Sequence, residues 1–115
     1  MSKISTIDLY WAAGFLEGEG CFGAYPIQPL VTACQVAREP IDQLQRIFGG
    51  TISCARRATQ KDQWVWKVYS RRAAAVMMTL YVLLSPRRQT KIEQILTDWK
   101  GLPARRRAFK WRTDA

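Results

Sequence analysis

The sequence has 115 residues and a net charge of +9, from 18 Lys and Arg against 9 Asp and Glu. That length suits one domain, and 48% apolar residues are enough to build a core, which excludes wholesale disorder. There is no His, so imidazole-based triads and dyads are excluded, and any hydrolytic chemistry must rest on carboxylates and a metal.

Ser5 with Asp8 three residues on reads as an N-terminal helix cap. The helix it opens is expected over 6–17, with Ile7, Leu9, Tyr10, Trp11, Ala12, Ala13, Phe15 and Leu16 placing apolar groups nearly all the way round. A helix apolar on every side is buried on every side, and one small domain rarely surrounds its first helix, so a second copy is expected to cover the other face. Strands are expected over 21–27 and 30–37, with Pro26 and Pro29 at the turn between them. A short helix over 41–48 follows Pro40 and stops at Gly49-Gly50. Strands over 51–57 and 64–70 come next, the latter with Trp64, Trp66 and Val68 on one face and Val65, Lys67 and Tyr69 on the other. Helices over 71–84 and from Pro86 to about 100 complete the order. The fold class is therefore α+β, in the order α-β-β-α-β-β-α-α. It has one four-stranded, antiparallel, saddle-like sheet, with helices on one face and polar and basic side chains on the other. Residues 1–103 form the domain and 104–115 a basic, aromatic tail.

The longest apolar run, Ala73 to Leu84, is broken by Thr79 and too short to span a bilayer. No signal pattern opens the chain, so an intracellular location is expected, with no membrane partner. Cys21, Cys34 and Cys54 make no disulfide framework, and without His no structural zinc set. Charge is uneven: residues 1–49 hold three basic side chains and five acids, and residues 50–115 hold fifteen basic and four acidic ones. The natural partner of such a field is a polyanion, most commonly nucleic acid; a merely solvated surface is the blander alternative.

The densest motif is the run Ala12-Ala-Gly-Phe-Leu-Glu-Gly-Glu-Gly20. Gly14 and Gly18 share one helical stripe and would let another backbone approach closely. Glu17 falls in the last turn and Glu19 just beyond it, where the helix dipole disfavours carboxylates and a divalent cation would compensate. A glycine C-cap on a solvated helix end explains Gly18 and Gly20, but neither both carboxylates nor the apolar helix.

This segment resembles the signature of the LAGLIDADG homing endonucleases, with Glu at both acidic positions, and the element order agrees over roughly residues 5–100. The resemblance implies a homodimer of single-motif chains whose motif helices pack at a two-fold axis through Tyr10, Ala13, Gly14, Glu17 and Gly18. It implies an Mg²⁺-dependent double-strand cut in a long pseudo-palindromic DNA target, as in enzymes of mobile introns or inteins. Glu19, with Gly18 beside it, would hold the metal; Gln35, Arg38 and Arg87 complete the nominated catalytic set. No Lys falls in the clean register for the basic helper, and Arg87 or Arg88 would replace it, stabilising phosphate charge without serving as a base. No small-molecule cofactor is implied.

DNA recognition is expected from the sheet face opposite the core: Tyr25, Ile27, Arg57, Val65, Lys67 and Tyr69. Lys61, Arg71, Arg72, Arg88 and the tail are expected on phosphates. Two other functions remain open at this level. One is a cleavage-inactive DNA-binding regulator or intron-splicing maturase on the same fold. The other is a basic RNA-binding domain, for which no aromatic RNP-type pattern speaks.

Overall fold

The computed structural model describes residues 4–56, 58 and 61–100. Its elements are α1 (Thr6–Glu19), β1 (Gly20–Ala24), β2 (Pro29–Gln35), α2 (Glu39–Phe48), β3 (Thr51–Ala55), β4 (Gln63–Tyr69), α3 (Ser70–Leu80), a 3-10 turn (Tyr81–Leu83) and α4 (Pro86–Lys100). The tail from residue 104, and with it the division of the chain at 103, lies outside the described residues. Among those residues no helix is long and apolar enough to cross a membrane.

α1 starts where its cap predicts: the Ser5 hydroxyl accepts from the Asp8 amide at 3.1 Å. The Asp8 carboxylate meets Arg46 of α2 at 2.9 Å, and this hydrogen bond holds its pKa below the ordinary aspartate value. The helix runs two residues further than expected, so Glu19 belongs to its last turn rather than standing beyond it.

The strands pair antiparallel in the order β1-β2-β4-β3. Two hairpins alone would leave β2 and β3 adjacent. Instead α2 carries the chain across, so β4 pairs with β2 and β3 takes the edge. β1 ends at Ala24, which leaves Tyr25 and Ile27 in the connection to β2 rather than on a strand. β3 ends at Ala55, so Arg56 stands outside the ladder and pairs with Asp62 at 3.3 Å.

The helices pack on one face. Its core joins Leu16 of α1, Phe22 of β1, Val31 and Ala33 of β2, Trp66 and Val68 of β4, Ile41 and Leu44 of α2, Met77 and Leu80 of α3, and Ile92 and Ile95 of α4. Burying a side chain of this size contributes about 1.5–3 kcal/mol, before the entropy of ordering it is set against that. Trp66 is fully buried, and its indole N–H donates to the Gly49 carbonyl at 2.8 Å, joining the end of α2 to the sheet. The adjacent Gly50 has φ of 101°, and a Cβ there would lie 2.6 Å from the Lys67 carbonyl oxygen, so a side chain fails on backbone conformation and on space together.

Candidate active site and nucleic-acid interface

Glu17 and Glu19 both end α1, but only Glu17 is tied down. One Glu17 carboxylate oxygen accepts from the Ser85 amide at 2.9 Å, just before α4 begins. The other lies 3.9 Å from Nε of Arg88, an ion pair too long for a hydrogen bond. Arg88 instead donates through Nη2 to the Glu17 backbone carbonyl at 2.9 Å, and its guanidinium lies over the Phe22 ring. The Ser85 amide is the chief cause of a Glu17 pKa below the ordinary glutamate value, with burial opposing it and the charges of Arg88 and Arg87 adding to it. Glu17 thus locks the end of α1 to the start of α4.

Arg88 is a part of that lock, with its side chain 13% exposed. Its guanidinium is turned toward Glu17 and Phe22 rather than toward solvent. Arg87, next to it, is exposed and forms no hydrogen bond or ion pair among the described residues.

Glu19 is exposed and has no hydrogen-bond or salt-bridge partner among the described residues. The β1–β2 ladder begins with Gly20 opposite Ala33, so Glu19 stands one step past it, at the end of the sheet where Cys34 and Gln35 finish β2. Gln35 pairs with Trp64, on the side of the sheet that faces the helices, so only its position at the strand end brings it near Glu19. Arg38 precedes α2, salt-bridges Asp42 at 2.8 Å and lies over the Trp64 ring at 4.4 Å. It is engaged rather than idle, but about half exposed.

The donors suit a hard divalent cation, which takes oxygen ligands and is often held by one or two carboxylates together with substrate phosphates. No group of three His, Cys, Asp or Glu that could hold a metal occurs among the described residues. At this end of α1 the oxygen donors of one chain are the Glu19 carboxylate and backbone carbonyls such as that of Gly18.

The outer stripe of α1 is uncovered. Ile7 is 82% and Tyr10 60% exposed, and Gly14 and Gly18 continue the line. A Cβ added at either glycine would meet nothing within 4 Å. Trp11 and Phe15 stack on each other at 5.2 Å beside this stripe. Ala13, expected to face a partner, is 4% exposed and belongs to the core of its own chain. Glu17 is likewise spoken for by α4.

The sheet face away from the helices differs from expectation. Val65, Lys67 and Tyr69 lie on it as the alternation predicts, and their cross-strand neighbours add Leu30, Thr32, Cys34, Thr51 and Ser53. Cys21 lies opposite Thr32 and joins the same face. Lys67 is the sole charged side chain on it among the described residues. The other exposed basic groups lie outside the strands: Lys61 before β4, Arg71 at the start of α3, and Arg87 and Lys91 on α4. Arg72 donates to the Phe48 carbonyl at 2.9 Å and so closes the end of α2. Tyr25 is 74% exposed in its loop, Ile27 is half-buried, and Arg57 lies outside the described residues. The alternation about Phe22 and Val31 puts Cys21, Thr32 and Cys34 on this face as well, although none of them was among the expected contacts. The Ser85–Glu17–Arg88 lock had no such signal, since its partners are 68 and 71 residues apart.

Neither a family profile nor a curated protein matches the sequence. Solved structures do. The homing endonuclease I-CvuI in complex with the I-CreI target superposes with a TM-score of 0.65 at 19% identity, over 82% of this chain and 66% of that one. The group I intron-encoded homing endonuclease I-CeuI, complexed with DNA, gives 0.63 at 11% identity, over 84% of this chain and 56% of that one. An archaeal intron-encoded homing endonuclease with DNA gives 0.58 at 17% identity, over 82% and 65%. The chain thus spans between about half and two thirds of these enzymes' length. At such identities the likeness is one of architecture, and the architecture here is the LAGLIDADG homing-endonuclease fold.

Proposed function

We propose that two copies of this chain form a site-specific, divalent-metal-dependent DNA endonuclease. The observation that carries this reading is the outer stripe of α1: Ile7, Tyr10, Gly14 and Gly18 are uncovered, and the same helix ends in a Glu19 carboxylate that is unpaired among the described residues. Nothing among the described residues accounts for Gly14 in the exposed middle of a helix, where it costs about 1 kcal/mol relative to Ala. Close approach of a second α1 does account for it, and a two-fold axis along that contact would bring two Glu19 carboxylates together.

Phosphodiester hydrolysis needs an activated water and a stabilised leaving oxygen. A divalent ion, when held by Glu19 and backbone oxygen near Gly18, supplies the positive charge that makes water a better nucleophile and stabilises the phosphate oxygens. Glu19 holds its carboxylate at the negative end of α1, where a cation is favoured on electrostatic grounds alone. Arg87, exposed at the start of α4, balances charge developing on the phosphate and has no means of taking a proton. Gln35 and Arg38 sit at the same end of the sheet and would orient substrate or solvent. Lys67 on the open face, with Tyr69 and Val65, would meet base edges. Lys61, Arg71 and Lys91 would meet phosphates, which set position without reading sequence.

Mixed dimers test the reading. Wild type with Mg²⁺ should linearise a plasmid carrying its site. Heterodimers of wild type with Glu19→Gln should only nick it, because each protomer serves one strand. Linearisation at undiminished rate by the heterodimer, or cleavage by a chain that sediments as a monomer, would overturn the proposal.

A further inference from the structure

Nearest Glu19 the open sheet face is built from short, uncharged side chains, and this limits what it can read there. Its strand positions lie in transverse rows. Cys34, Val65 and Ser53 are directly opposite one another across β2, β4 and β3. Cys21, Thr32, Lys67 and Thr51 form the next row across all four strands. The first of these rows lies at the Glu19 end of the sheet, since Glu19 stands one step past the pair Gly20 and Ala33.

In a major groove, guanine is read by long cationic donors and adenine by Asn or Gln amides, whereas thymine is distinguished by its C5-methyl group. The row next to Glu19 holds no cation and no amide. Val65 there is half-buried, with its methyl groups between the exposed Cys34 thiol and the exposed Ser53. Lys67, one row further on, is the strong donor. We infer that, in the DNA complex proposed above on which this rests, Val65 with Cys34 beside it reads thymine methyl groups in the base pairs of each half-site nearest the cut. Lys67 then reads the next pairs outward. The substrate class is a duplex whose half-sites carry thymine flanking the scissile region, with phosphate affinity supplied by the exposed basic groups outside the strands.

Uracil isolates the methyl group. Duplexes bound by the full chain would be enriched from a randomised library. Thymine would then be replaced by uracil one position at a time, and cytosine by 5-methylcytosine, with binding followed by anisotropy. Each methyl read should be worth about fourfold in affinity. The sensitive positions should flank the cut symmetrically, and Val65→Ala should erase the thymine–uracil difference at one position per half-site while leaving the salt dependence unchanged. Equal binding of thymine and uracil duplexes at every such position, with metal-dependent cleavage retained, would overturn this inference alone. A chain that binds no duplex would overturn it together with the function it rests on. If Val65→Ala fails to fold, the uracil series on wild type still decides.

Discussion

Glu17 and Glu19 lie two residues apart and have different work. The Glu17 carboxylate is fixed by the Ser85 amide and the charge of Arg88, which lowers its pKa. A carboxyl depressed in the folded state stabilises the fold above its unfolded pKa, near 4.3 for glutamate, and that contribution is lost as pH falls through the folded value. Asp8, depressed by Arg46, adds in the same direction. Acidification below about pH 5 should therefore lower the melting temperature. Glu17→Gln should melt lower than wild type at neutral pH and show a shallower acid slope; equal slopes would show that the lock contributes nothing to pH-dependent stability. The place of Glu17 in the last turn of its helix was legible. Its partners were not, because hydrogen bonds between residues so far apart in sequence leave no local pattern.

The elements themselves were legible because local chemistry fixes them: the Ser5 cap, Pro40 and Pro86 at helix starts, Gly49-Gly50 at a helix stop, and the alternation of Trp64, Trp66 and Val68. The ends of strands were less so. The expected first strand overran β1 through Tyr25 and Ile27, since apolar residues in a turn look like strand residues until pairing partners are known. The apolar circumference of α1 resolves into two surfaces, one buried by Ala12, Ala13 and Leu16, the other left open at Ile7 and Tyr10. This makes Gly14 a clean probe. A side chain there meets open space within one chain, and replacing a helical glycine favours the helix by up to about 1 kcal/mol. Gly14→Leu should therefore fold at least as well as wild type and yet sediment as a monomer, with DNA cleavage lost. A Gly14→Leu chain that remains a dimer would place the two-fold contact elsewhere.

Over the whole molecule, charge and shape are separated. The sequence showed where along the chain cations concentrate, but not how few of them the strands would keep. Among the described residues the strands hold only Lys67 on the open face, and the other basic residues of the second half lie in connections and helices. If the proposed dimer binds phosphates through the exposed basic groups outside the strands, counterions are released and log K for DNA should fall with log salt at a slope of about −5 or steeper. A flat dependence would mean that the field of +9 is not used for binding.

Paired Glu19 carboxylates are proposed to cut DNA, and the most direct test is digestion of a partly randomised duplex library, with and without Mg²⁺, by wild type and by Glu19→Gln, followed by sequencing of the cut ends and of the bound fraction. Two-fold symmetric cuts that need Mg²⁺ are expected, with a Glu19→Gln protein that enriches the same sites without cutting them. Cuts that persist without metal or in Glu19→Gln, or sites bound by wild type and never cut, would contradict it.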